Sequence, residues 1–374
     1  MRSRLLTELE AQSSNTKDRV AWSRVMCRIS IHHSRQGDPE RAHEYILAVR
    51  KHYGVELHHV VASWVMLAEG ILHFTKAEMD KAYDRLRRAY GLAVALRTES
   101  ARPLCAAWMA LAEFNAGKYP LMVDHLTEVL RDAADTDHQA RGRACLVLAD
   151  ALQLAGSFEM ARPWYELTRI HAAAEGDQAT LSAYLYNVAA FRTLNLRLSE
   201  AYAEVSPTEL KRASMEAHSS FSYDMAVGSL AFGTFWKVLH GQLQNIQGEF
   251  SEAKILLDAI SIPDLVPRDI PLVHCELAWS NLNLGNEEAA RRNFHRAAEK
   301  IELITEHDDR AYILKRLAMI GERLGLQEAA SQYALDGLRA LEQHRTFQAG
   351  LMTMLRSLVE QHPPPKMKKG PAAR

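Results

Sequence analysis

Apolar residues recur at helical spacing on both sides of regularly placed turns. In one copy of the pattern Leu146, Ala149 and Leu152 precede the turn, and Phe158 and Ala161 follow it. Spacings of three and four residues place apolar side chains on one face of an α-helix. The pattern therefore predicts pairs of amphipathic helices, each of which buries one stripe against its neighbours.

The turn and the helix after it repeat along most of the chain. Six copies have a glycine at the turn, which suits the left-handed residue that ends a helix. Two copies lack it, Ala77–Ala82 and Leu196–Ala201. One position on the buried stripe of the second helix marks each copy: Ala42, Ala82, Met122, Ala161, Ala201, Ala253, Ala290 and Ala330. Most intervals are 39 or 40 residues, so the sequence predicts about eight stacked helix pairs.

This pattern resembles the tetratricopeptide repeat, most clearly over Ala144–Ala161 and Cys275–Ala290. The usual period of that family is about 34 residues. The longer spacing here is similar to that of the sensor regions of MalT-like bacterial regulators and of the peptide-responsive Rap-type proteins. The resemblance implies an all-α, right-handed superhelix (an α-solenoid) whose first helices line a concave surface.

Breaks in the pattern divide the chain into segments. We expect an N-terminal cap over 1–19, a repeat array over 20–345 that is irregular at 202–234 and 261–271, a capping helix over 346–362 and a disordered basic tail over 363–374. In the first irregular stretch, Ser206 and Pro207 predict a new helix start, followed by one long helix from about Ser220 to Gln247. The second stretch has three prolines in ten residues and predicts a connector, either a surface loop or a flexion point.

Composition narrows the classes of function. The chain has 45 Lys and Arg residues against 46 Asp and Glu, which argues against a general nucleic-acid binder. No apolar stretch approaches the roughly 20 residues that span a bilayer, and no signal peptide is evident, so we expect a cytoplasmic protein with no membrane partner. The four cysteines lie far apart, which is typical of buried, reduced thiols.

Sequence signatures of catalysis and metal binding are missing. There is no phosphate-binding G-x-x-x-x-G-K-[ST], no H-E-x-x-H, no paired C-x-x-C and no G-x-S-x-G. Histidines are numerous, but adjacent pairs such as His32 and His33 point about 100° apart on a helix. We therefore expect no catalytic residue, no metal and no cofactor.

The resemblance implies a binding surface on the first helix of each pair. Projecting each first helix from its turn directs twelve partner-binding residues inward: Arg24, Arg28, Trp64, Asp150, Tyr186, Asn187, Gln242, Asn245, Trp279, Asn283, Lys315 and Arg316. Amides suit a peptide backbone, and arginines suit carboxylates. The family often holds the ligand backbone with an asparagine, which the resemblance places at Asn187. A position in the helix–helix core is the alternative for each aromatic residue.

Three functions are compatible with these features. The first is a protein- or peptide-binding module, a cytoplasmic bacterial adaptor or regulator that holds a peptide or partner segment in its groove. The second is a MalT-like regulatory domain that senses a small ligand. The third is an enzyme with a groove active site that includes Asp150 or Glu276. The apolar stripe of the C-terminal helices predicts a cap, with a homodimer interface as the alternative.

Overall fold

The computed structural model describes residues 3–54, 57–98, 100–229 and 231–365. Over these residues the chain is helical and has no strand. Two short 3₁₀ turns, Ile262–Asp264 and Ile301–Leu303, lie between α-helices. The α-helices in chain order are α1 Arg4–Asn15, α2 Arg19–Gln36, α3 Pro39–Tyr53, α4 His59–Thr75, α5 Met79–Ala95, α6 Arg102–Asn115, α7 Tyr119–Asp132, α8 His138–Leu154, α9 Phe158–Glu175, α10 Gln178–Tyr202, α11 Pro207–Val227, α12 Gly233–Gln247, α13 Phe250–Asp258, α14 Asp269–Asn283, α15 Glu287–Glu299, α16 His307–Arg323 and α17 Gln327–Gln361.

Consecutive helices pack in pairs around the predicted turns. In each pair, the helix before the turn is the first helix and the helix after the turn is the second helix. The closest packed pairs include α2 with α3, α4 with α5, α8 with α9 and α14 with α15. The predicted turn glycines have positive φ, as in Gly37 (84°) and Gly248 (83°). Ala77, in a copy without glycine, adopts φ 58° and keeps the same turn at the expense of some strain. The repeated turns are therefore confirmed at these positions.

The contacts divide the chain into two compact units. Among the described residues, the N-terminal unit comprises residues 3–184 together with 349–365, and the C-terminal unit comprises residues 185–348. At the chain start, Leu5 and Leu9 of α1 are buried with Val25 and Ile29 of α2. The α1 helix of the predicted N-terminal cap therefore packs against α2 through a shared apolar core.

Two predicted features of the helix pattern are wrong. The copy at Leu196–Ala201 has no turn, because α10 runs through it without a glycine or proline to stop it. The single helix predicted from Ser220 to Gln247 is two helices, since α11 ends at Val227 and Gly228 follows at φ 71°. The predicted start at Pro207 is confirmed, with Ser206 as its N-cap.

The chain end forms one long helix. α17 is 35 residues long, so the capping helix predicted over 346–362 is its C-terminal part. Residues 366–374 of the predicted tail lie outside the described residues. None of the helices described is both long enough and apolar enough to cross a membrane. All four cysteines are buried, as expected: Cys27, Cys105, Cys145 and Cys275.

Replacing Gly70 of α4 with alanine is expected to destabilise the chain. An added Cβ would lie 2.8 Å from the Leu86 side chain of α5 and 3.1 Å from the Leu86 backbone nitrogen. Such overpacking costs about 1–3 kcal/mol, measurable by urea unfolding followed by circular dichroism. Gly91→Ala on α5 is the control, since nothing lies within 4 Å of its added Cβ, and it should gain about 0.5–1 kcal/mol. A loss of the same size in both variants would contradict the close helix contact.

Candidate functional site

Buried polar side chains are concentrated on the first helix of each pair. The second helices α3, α5, α7, α13 and α15 bury only apolar side chains among the residues described. The first helices also bury charged residues: Glu113 on α6, Arg143 and Asp150 on α8, Glu276 on α14, and Asp308 and Arg316 on α16. These five second helices therefore contribute an apolar scaffold, whereas α9 and α11 also bury polar residues such as Thr168 and Asp224. Most of the buried charged groups lie on first helices, which carry the side chains that could recognise a ligand.

In the C-terminal unit, Glu276 lies at the centre of a hydrogen-bonded network. It is fully buried, and it accepts from the Tyr312 hydroxyl at 2.7 Å and from Asn245 Nδ2 at 2.8 Å. The Ser280 hydroxyl donates to Asn245 Oδ1 at 2.7 Å. Burial raises the pKa of Glu276, and Arg316 together with the hydrogen bonds offsets part of that rise. The network joins three first helices, α12, α14 and α16.

Arg316 supplies the positive charge of this network. Its side chain is fully buried, and it is paired with Glu200 of α10, its Nη1 lying 2.9 Å from Oε1. The guanidinium carbon lies 4.2 Å from the centre of the Trp279 ring. Burial alone would lower the pKa of Arg316, but Tyr312, Glu200 and Glu276 raise it further than burial lowers it. Arg316 therefore stays charged inside the unit.

Arg197 of α10 is a second buried cation in the same unit, and the sequence projection did not include it. Its Nη2 donates to Asp309 at 2.8 Å, and its guanidinium carbon lies 4.9 Å from the centre of the Tyr312 ring. Its Nε and Nη1 have no hydrogen-bond partner among the described residues. Arg197 falls within the copy where the sequence predicted a turn, so no spacing argument pointed to it.

The N-terminal unit has its own set of ion pairs, in which the arginines lie on the first helix α2. Arg28 of α2 donates to Glu175 at 2.6 Å. Arg35 donates through Nη1 to Asp177 at 2.8 Å and through Nη2 to Thr180 at 2.6 Å. Burial raises the pKa of Asp177, but Arg35 and the bonds from Thr180 outweigh it and lower that pKa to about 2. Asp177 therefore stays ionised while it holds Arg35.

An aromatic group adjoins these ion pairs. The Trp108 ring of α6 lies edge-on to Phe74 with ring centres 5.8 Å apart. The Arg143 guanidinium carbon is 4.4 Å from the centre of the same Trp108 ring. Neither Trp108 nor Arg143 was among the residues projected inward. Each lies on a first helix whose buried face is wider than a single stripe, so periodicity gave no signal for them.

The twelve predicted partner-binding residues differ in exposure. Six are buried: Trp64, Asp150, Gln242, Asn245, Trp279 and Arg316. Five are half-buried: Arg28, Tyr186, Asn187, Asn283 and Lys315. The remaining residue, Arg24, is exposed. The structure brings three of them, Asn245, Trp279 and Arg316, into one network around Glu276. The others have separate neighbours, and their part in binding stays a prediction.

Three of these other predicted residues have defined side-chain contacts. Tyr186 stacks on Phe232 with ring centres 4.5 Å apart, and Asn283 accepts from Arg323 at 2.9 Å. Asp150 accepts from the Tyr165 hydroxyl at 2.8 Å. Within the described part of the chain, no group of three or more His, Cys, Asp or Glu side chains is placed to hold a metal ion.

Replacing Arg316 with methionine is expected to destabilise the chain by about 3–5 kcal/mol, because its ion-pair partner Glu200 and the buried Glu276 beside it would lose their shared cation. Urea unfolding at pH 7 measures the loss. Arg323→Met is the matched control: Arg323 is exposed and lies 5.5 Å from the same Trp279 ring, so its replacement should change stability by no more than about 0.5 kcal/mol. Similar losses in the two variants would contradict the central role of Arg316.

Replacing Asp177 with asparagine is expected to give a pH-dependent loss of stability. The pKa of Asp177 falls from 3.8 to about 2 on folding. A carboxyl with a depressed pKa stabilises the fold above its ordinary pKa and loses that effect as the pH falls towards the folded value. The loss should be about 2 kcal/mol at pH 7 and roughly half as large at pH 3. Urea unfolding of both proteins across this range measures it, and a difference independent of pH would refute the ion pair.

Comparison with known proteins supports the fold. No protein-family model and no curated protein matches the sequence. A solved structure of a Rap protein complexed with competence and sporulation factor is similar, with a TM-score of 0.55 and 13% sequence identity over 95% of this chain and 92% of that chain. At this identity the likeness concerns the fold alone. The predicted all-α repeat architecture is confirmed, and the chain has a tetratricopeptide-like helical-repeat fold similar to that of a Rap protein.

Proposed function

We propose that this protein binds a peptide or an extended protein segment through its first helices, as a cytoplasmic bacterial adaptor or regulator and not as an enzyme. The observation that carries the proposal is the distribution of buried polar groups. Charged and amide side chains lie on the first helices, while five of the second helices bury only apolar residues. Recognition of the polar groups of a ligand by the first helices would account for this difference between the helices of a pair.

The chemistry of the first helices suits a peptide. Amides such as Asn283 can donate to and accept from a peptide backbone, and cations such as Lys315 can pair with acidic groups. Aromatic rings such as Trp279 offer apolar contact beside a charged group. The similar Rap protein was solved in complex with competence and sporulation factor, which supports a regulatory ligand for this fold.

The ion pairs inside each unit join buried charges to other side chains, so a ligand would be recognised by replacing one of these internal partners. A buried charge is costly when unpaired, so a ligand group that replaces an internal partner must bring equivalent hydrogen bonds. This requirement selects ligands with the right polar groups and rejects ligands that lack them. A regulator that must distinguish one peptide among many would benefit from such selectivity.

A pool of random heptapeptides tests the proposal. The full-length chain is incubated with the pool, bound peptides are separated with the protein by size exclusion, and mass spectrometry identifies them. Their affinities are then measured with synthetic peptides by calorimetry. We expect Asn283→Ala and Lys315→Ala, both on first helices, to weaken binding about fivefold or more, because each removes one polar contact worth about 1 kcal/mol.

Two variants on second helices serve as matched controls. Asn293 and Lys254 are half-buried like Asn283 and Lys315, but they lie on α15 and α13. Asn293→Ala and Lys254→Ala should leave affinity unchanged. Retention of no peptide by the wild-type chain, or equal losses in all four variants, would contradict binding through the first helices.

A further inference from the structure

Arg143 of α8 lies against Trp108 of α6 in the N-terminal unit. Only 6% of Arg143 is exposed, and its guanidinium carbon is 4.4 Å from the centre of the Trp108 ring. The guanidinium carbon of Arg35 of α2 approaches the same ring to 5.9 Å. Two cations from different helix pairs therefore share one aromatic surface.

Arg143 differs from the other deeply buried arginines because it has no carboxylate partner. Arg197 is paired with Asp309, and Arg316 with Glu200. Arg143 makes no hydrogen bond and no ion pair with any residue in the part of the chain that the structure describes. The cation–π attraction of the Trp108 ring offsets only part of the free-energy cost of removing the guanidinium from water.

The acidic groups nearest to Arg143 are engaged by other residues. Asp177 accepts from Arg35 at 2.8 Å, and Asp150 accepts from the Tyr165 hydroxyl at 2.8 Å. Burial and the neighbouring Arg35 lower the pKa of Arg143 to about 9, while Asp177 and Asp150 oppose that fall. Arg143 is therefore still protonated at neutral pH, and its charge is not neutralised by direct contact.

The helix geometry directs Arg143 away from the second helix of its own pair. Gly142, one residue earlier, faces α9, since a Cβ at that position would lie 3.3 Å from the His171 side chain. Successive residues on a helix point about 100° apart, so Arg143 points to one side of this contact. It meets Trp108, on the first helix of the preceding pair, so it lies between two of the first helices through which the proposed ligand would bind.

We propose that Arg143, with Arg35 beside it and Trp108 against it, binds a carboxylate of the peptide ligand. The inference rests on the proposed function and names the chemistry that this part of the N-terminal unit recognises. A guanidinium presents two N–H groups in one plane, which matches the two oxygens of a carboxylate. One unpaired positive charge suits one negative charge. The carboxylate belongs either to an Asp or Glu side chain of the peptide or to its C-terminus.

Two pools of random heptapeptides distinguish these sources, one with free C-termini and one amidated. Binding of a C-terminal carboxylate should enrich peptides from the free-acid pool only. Binding of a side chain should enrich Asp or Glu at one position in both pools. For a synthetic peptide chosen in this way, Arg143→Met is expected to weaken binding at least tenfold and to leave the affinity of its uncharged amide counterpart unchanged.

Arg169→Met is the matched control, because Arg169 is exposed on the second helix α9 and paired with Glu166. It should leave the affinity for both peptides unchanged. If Arg143→Met and the wild-type chain bind the charged peptide equally well, the carboxylate site is overturned while the proposed function stands.

Thermal melting of the ligand-free chain tests the unpaired charge directly. Removing a buried cation that has no partner should leave the melting temperature of Arg143→Met unchanged or raised. A melting temperature well below that of the wild-type chain would reveal an internal partner and overturn the proposal.

Sodium acetate separates this inference from the proposed function. If the wild-type chain retains no peptide from either pool, the proposed function fails, and acetate then tests the site alone. At ionic strength matched with sodium chloride, acetate should raise the melting temperature of the wild-type chain and not that of Arg143→Met. Equal shifts in both proteins would overturn the carboxylate site.

Discussion

The cost of burying charge governs the interior of this protein. A helix of an all-helical repeat can pack through an apolar stripe alone, and five of the second helices bury only apolar side chains among the residues described. The first helices nevertheless bury arginines and carboxylates, and each such group must be paired to be tolerated. Arg316 and Arg197 meet this requirement with Glu200 and Asp309. Arg143 does not, and this exception points to a ligand.

The helix pairs could be predicted from the sequence because their signals are local. A glycine such as Gly248 ends one helix and sets the start of the next, and this effect depends only on the local sequence. The predictions failed where such a signal was assumed and not present. Leu196–Ala201 carries the spacing of a repeat but no residue that stops a helix, and α10 continues through it. Gly228, in contrast, ends α11 inside a stretch that was predicted as one helix.

The candidate site could be predicted only in part, because its contacts are not local. The projection found Asn245, Trp279 and Arg316, which share one network, since each lies near a well-marked turn. It could not find the partner of Arg316, because Glu200 lies 116 positions away in the chain. Arg143 and Trp108 are missed for a related reason: first helices are buried on more than one face, and periodicity then no longer distinguishes the inward side.

Hydrogen–deuterium exchange of the full-length chain, with and without a peptide that it retains, tests the central claim most directly. The account predicts that the peptide slows exchange in first helices such as α6, α8, α14 or α16, while second helices such as α3, α7 and α15 exchange as before. First helices carry the polar groups that a ligand would engage, so their backbone amides should gain protection. Protection confined to the second helices would contradict the account.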